Sequence, residues 1–150
     1  MNFNKNNLEK YMMIVLEEAK IALVEGEVPI AALIVKDDEI LSLTHNKVES
    51  LKDATAHAEI LAIKEASKKL NNWRLDNTTL FVNVEPCTMC TGAIENARIA
   101  NVIYGTSEPK TGALGSRYDL SLFNPKKIKI VSGILEEESK ELIKKAFIRK

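Results

Sequence analysis

The chain has 150 residues, and its 21 lysines and arginines balance 21 aspartates and glutamates to a formal net charge of zero. At 45% hydrophobic and 28% charged it is too apolar for disorder, and its length suits one domain able to bury about 70% of its unfolded surface. Two cysteines make no disulfide scaffold, and no apolar run approaches the roughly 18 residues of a membrane span.

The first seven residues, Met1-Asn2-Phe3-Asn4-Lys5-Asn6-Asn7, lack the basic-then-apolar order of a signal peptide, so a cytoplasmic domain is expected. Leu8, Met12, Val15, Ala19, Ala22 and Leu23 recur at helical spacing and predict an amphipathic helix ending near Glu25 and Gly26. The apolar runs 30–35 and 40–43, separated by Lys36-Asp37-Asp38-Glu39, predict an antiparallel hairpin. Residues 55–70 are alanine-rich, free of glycine and proline, and read as a helix. A β-branched and aromatic strand follows at 78–84, then a helix opened by Pro86 and running to about Glu95. Strands at 99–104 and 127–131 flank a glycine-containing loop at 110–116, and Leu142, Ile143, Ala146 and Phe147 mark a last helix. Strands alternating with helices after residue 55 imply an α/β fold, its sheet mostly parallel and covered on both faces.

Four residues carry the chemistry: His57 and Glu59 in His57-Ala58-Glu59, and Cys87 and Cys90 in Pro86-Cys87-Thr88-Met89-Cys90. Three-residue spacing on a helix brings both thiols to one face, where they can share a zinc ion. The first helical turn favours negative charge and helps keep the sulfurs ionised. His57 offers a third ligand, and three protein ligands leave a tetrahedral position open, as in catalytic rather than structural zinc. Taken singly, the same residues admit other readings. The cysteines form a redox pair or two packed thiols, His57 is a structural histidine, or His45 adds a fourth ligand. Spacing alone does not put Glu59 beside the metal, because i and i+2 point to different sides of a regular helix.

Together the two motifs match the signature of base deamination, in which the glutamate is general acid and base rather than ligand. With them the chain resembles the zinc-dependent deaminase superfamily, and more closely the bacterial tRNA-specific adenosine deaminases. The resemblance runs through Glu27-Val28-Pro29-Ile30, Asn46, Thr55-Ala56-His57-Ala58-Glu59-Ile60, Asn72-Trp73-Arg74-Leu75, Thr79-Leu80-Phe81-Val82, Glu85-Pro86-Cys87-Thr88-Met89-Cys90 and Lys110-Thr111-Gly112-Ala113-Leu114-Gly115-Ser116. It implies a three-layer α/β/α, cytidine deaminase-like fold around a five-stranded, mostly parallel mixed sheet. It also implies one catalytic Zn2+ per subunit on His57, Cys87 and Cys90, with Glu59 moving protons while activated water displaces ammonia from C6 of the wobble adenosine. By the same resemblance Asn46 hydrogen-bonds the base, Val28 and Pro29 wall its pocket, and Ala58, Glu108 and Lys110 belong to the substrate site. Ala31 replaces the family's usual glycine, and Glu108 stands where many relatives carry aspartate. The implied partners are a tRNA anticodon stem-loop, of an arginine isoacceptor, and a second copy of the chain in a homodimer; neither membrane nor DNA is expected.

The charge balance is uneven along the chain. Residues 121–150 hold eight lysines and arginines against four acids, and the remainder is acidic by the same margin. Lys126, Lys127, Lys129, Lys140, Lys144, Lys145, Arg149 and Lys150 supply the excess. They read either as an RNA-facing edge or as a solvated helix face. The competing activity is a free-base or nucleoside deaminase acting on guanine, cytosine or cytidine through the same zinc site.

Overall fold

The computed structural model describes residues 2–124 and 126–148. The interior strand β1 (Ala31–Lys36) is buried on both faces: Ala31, Leu33 and Val35 join one apolar cluster, Ala32 and Ile34 the other. The neighbouring strand β3 (Thr79–Val84) divides in the same way, with Phe81 on the first side and Leu80 and Val82 on the second. Strands with no solvent side need a layer on each face. Helix α1 (Lys5–Val24) and α5 (Glu136–Ile148) cover the first face, with Met12, Val15, Ala19 and Leu142 in that core. Helix α3 (Ala58–Leu70) and α4 (Thr88–Asn96) cover the second through Ala58, Ala62, Ala66 and Ile94.

The sheet has the order β2-β1-β3-β4-β5, where β2 is Glu39–His45, β4 Asn101–Thr106 and β5 Lys129–Val131. The expected α/β/α layers and mixed five-stranded sheet are present. Its parallel pairings are the two made after residue 55, β3 with β4 and β4 with β5. β1 pairs antiparallel with both β2 and β3. Asp37 and Asp38, at φ 50° and 62°, form the two-residue turn between Lys36 and Glu39, and paired left-handed residues match the twist of a hairpin.

Element starts differ from the sequence expectation where a residue caps the helix from outside it. Pro86 precedes α4, and Cys87 is the extended cap at φ −77° and ψ 178°. Likewise α3 begins at Ala58 rather than Thr55, because Asp53 accepts hydrogen bonds from the backbone and hydroxyl of Thr55 at 2.8 and 2.7 Å. Such local side-chain bonds hold a turn where a helix would otherwise extend. A short helix, α2 (Val48–Leu51), follows β2.

α5 approaches β4 closely at Gly105. A Cβ built there would lie 2.4 Å from Ser139 Oγ and 2.6 Å from the Asn83 carbonyl, so only glycine lets helix and strand meet at this separation. The lysines of the charge-rich end at 126, 127, 129, 140, 144 and 145 are all exposed, whereas Arg149 and Lys150 lie outside the described residues.

Candidate active site

The amino ends of α3 and α4 converge at one end of the sheet. Thr44 on β2 donates its hydroxyl to the Ala58 carbonyl at 2.7 Å, which pins the first turn of α3 against the strand. His57 caps α3 with an extended backbone, φ −71° and ψ 153°. That conformation answers the spacing problem: His57 is not a helical residue, so the rule that separates i from i+2 on a helix does not govern His57 and Glu59. Cys87 caps α4, and Cys90 lies in its first turn and is buried.

His57 Nδ1 lies 3.7 Å from Cys87 Sγ and 3.5 Å from Cys90 Sγ. The three ligand atoms all lie within 4.8 Å of one another. For tetrahedral zinc at about 2.3 Å from sulfur and about 2.05 Å from nitrogen, the nitrogen–sulfur edge is about 3.6 Å. The donor triangle therefore fits zinc, with Nδ1 as the imidazole donor. His45 is not part of it. Its ring nitrogens meet Glu18 Oε2 at 2.6 Å and Glu25 Oε1 at 2.7 Å, far from the role of a fourth ligand.

Burial and the hydrogen bonds within the group set its protonation. A hydrogen bond from Cys90 pulls the Cys87 thiol down to about 4, assisted by His57. The same bond raises the Cys90 thiol, as does burial. The hydrogen bond with Cys87 raises His57. Glu59 is buried, and burial pushes its carboxyl up to about 7. A carboxyl that exchanges its proton near neutral pH is matched to general acid–base work.

The expected pocket residues lie on segments tied to this end of the sheet. Asn46 is buried, its N–H donates to the Ile30 carbonyl at 3.0 Å, and its Oδ1 accepts from the Val48 N–H at 3.0 Å. The second bond is a turn contact that uses one lone pair of Oδ1, so Nδ2 and the other lone pair are what Asn46 can offer a ligand. Val28 is exposed and Pro29 buried. Glu108 is half-buried and Lys110 exposed; Glu108 Oε1 accepts from the Lys110 N–H at 3.0 Å. Ala31, with its added methyl, is wholly buried.

Two supporting residues receive no role in the sequence reading. Asn83, on β3, accepts from the Ala31 N–H and donates to the Pro29 carbonyl, both at 2.9 Å, and so fixes the strand entry that carries Val28 and Pro29. Its only trace in the sequence is an amide interrupting an apolar strand. Glu27 accepts from the N–H groups of Glu49 at 3.0 Å and Ser50 at 2.7 Å, holding α2 beside Asn46.

The MafB19-like deaminase family model matches residues 6–150. The tRNA-specific adenosine deaminase of Bacillus subtilis is 44% identical over 133 residues, 87% of this chain and 82% of the relative. That of Aquifex aeolicus is 47% identical over 112 residues, 75% of this chain and 74% of the relative. Among solved structures, one from a study of A-to-I editing by tRNA:A34 deaminases at the wobble position superposes with a TM-score of 0.81 at 38% identity, over 89% of this chain and 98% of the other. Shared sequence over most of the length, on the same fold, makes this chain a member of the deaminase family, beside the tRNA-specific adenosine deaminases.

Proposed function

We propose that the protein converts adenosine to inosine at the wobble position of a tRNA anticodon, consuming one water and releasing ammonia. The observation that carries the reading is the zinc-sized triangle of His57, Cys87 and Cys90 with Glu59 buried against it. The kinship with tRNA-specific adenosine deaminases supports the substrate. Zinc held by the three ligands would supply the Lewis acidity that lowers the pKa of water from roughly 15.7 to 7 and makes it a nucleophile at neutral pH.

Glu59 carries the protons. Its carboxylate accepts one from the attacking water and delivers it to the ring nitrogen next to C6, then takes the second from the new C6 hydroxyl and passes it to the amine, which departs as ammonia. A carboxyl whose pKa burial raises toward neutrality is suited to both steps. Asn46 orients the base through its side-chain amide, Val28 and Pro29 bound the pocket, the start of α3 at Ala58 lies against the ring, and Glu108 and Lys110 meet the flanking anticodon nucleotides. In this reading residues 1–150 work as one domain, in the cytoplasm and as a homodimer, on an arginine isoacceptor. None of the described helices is long and apolar enough to cross a membrane.

The test is to incubate the zinc-loaded protein with an anticodon stem-loop bearing a wobble adenosine and, separately, with free bases and nucleosides. Inosine in the stem-loop is the expected product; ammonia from guanine or cytidine alone would overturn the reading. Glu59→Gln should retain zinc by metal analysis while turnover falls about 10²–10⁴-fold. Near wild-type turnover in that variant would remove Glu59 from its role.

A further inference from the structure

We propose that Glu85 is a positioning residue: it locks the 108–116 loop onto the metal-binding turn and thereby sets how firmly the substrate is held. The inference rests on the deaminase reading above for what the loop does, and on geometry alone for the lock.

Glu85 follows β3 and lies two residues before Cys87, where its N–H continues the sheet by donating to the Thr106 carbonyl at 2.9 Å. Its side chain is 3% exposed, and it makes no ion pair among the described residues. The loop compensates the charge instead. Oε1 accepts from the Glu108 N–H at 3.1 Å and from the Ser116 hydroxyl, and Oε2 from the N–H groups of Leu114 and Ser116, each at 3.0 Å. A buried carboxylate without such donors would be expensive, and the donors without it would be orphaned in turn. Each side of the contact requires the other.

The fit also explains a glycine. A Cβ on Gly112 would stand 2.4 Å from Glu85 Cδ and 2.5 Å from the Glu108 carbonyl oxygen, so the loop wraps directly against the carboxylate. The loop is fastened a second time to the turn that carries the cysteines. Ala113 N–H donates to the Pro86 carbonyl at 2.9 Å, and Gly112 forms an isolated antiparallel bridge with Cys87. Glu108 and Lys110 thus ride on a segment that cannot shift independently of a metal ligand. A contact surface held in place before binding loses less conformational freedom when substrate arrives, so the lock acts on affinity.

Glu85→Gln is the direct test, because the amide keeps the shape, loses the charge and turns an NH2 group toward N–H donors. In the zinc-loaded protein, amides of 108–116 should exchange with solvent at least about tenfold faster while those of α3 are unchanged. KM for the stem-loop should rise at least about fivefold with kcat within about twofold, since uniform binding is lost and chemistry retained. Gly112→Ala disturbs the same contact from the loop side, and Ser116→Ala removes only the hydroxyl. Both should shift exchange and KM in the same direction, Ser116→Ala less, and they carry the test if Glu85→Gln does not fold. Unchanged loop exchange, or a kcat loss at constant KM, overturns the proposal. A wild-type protein that makes no inosine in the stem-loop would sink the functional reading, and the exchange measurement would still decide the lock.

Discussion

Glu27 shows how a single buried carboxylate can stabilise the fold through backbone donors. Burial raises its pKa, but the N–H groups of Glu49 and Ser50 outweigh that and, with the nearby His45, hold the carboxyl below its ordinary value. A folded-state pKa below the unfolded one contributes stability above the ordinary carboxylate range and loses it as pH falls through the folded value. Glu27→Gln should therefore cost about 1.5 kcal/mol at pH 7, the low end for bonds to a charged acceptor because Glu49 and Ser50 are exposed. It should also reduce the loss of stability on acidification; urea unfolding at pH 7 and pH 4 measures both. At this scale the sequence shows the chemistry and hides its support. His57, Cys87 and Cys90 are legible because ligand type and spacing carry the signal. Asn83, Glu27 and Glu85 are not, because their partners are backbone groups brought from 22 to 54 residues away, and in the sequence a buried acid looks like a solvated one.

Among the elements, β3 serves both the core, where each of its residues is buried, and the site, which it supports through Asn83. Phe81 is completely buried against α1, with the Tyr11 ring 5.2 Å away. Phe81→Ala should destabilise by about 3–5 kcal/mol, the range for deleting a buried aromatic ring, read as a lower denaturant midpoint. Element types were legible from the apolar pattern, as in the unbroken run of β1 and the helical stripe of α1. Their starts were less so, since Asp53, His57 and Cys87 end or cap segments through bonds and backbone angles that residue type does not reveal. Strand order was also hidden: β1 separates β2 from β3, although α3 joins those two along the chain.

For the whole molecule, a net charge of zero conceals an asymmetric surface. Part of the basic excess on α5 is answered locally, Lys140 lying 3.7 and 3.6 Å from Glu136 and Glu137 and Lys144 lying 3.4 Å from Glu141. Exposed pairs of this kind are weak and yield readily to a polyanion. Affinity for an anticodon stem-loop should thus fall steeply between 50 and 200 mM salt, measured by fluorescence anisotropy. Replacing Lys144 and Lys145 together by alanine should reduce the log–log slope by about 1 to 2, at roughly 0.7–0.9 per phosphate contact. An unchanged slope would assign these lysines to solvation alone.

The closeness of α5 to β4 gives Gly105 a leverage its chemistry does not suggest. The helix is seated through a position that carries neither charge nor side chain, and a single methyl there would press on Ser139 from within. The seating of the helix that carries the lysines is therefore governed from inside the sheet. A buried substitution could shift the reach of the lysines while leaving every charge in place. Variation in RNA preference among such chains should accordingly be sought at the seat of the helix as well as among its cations.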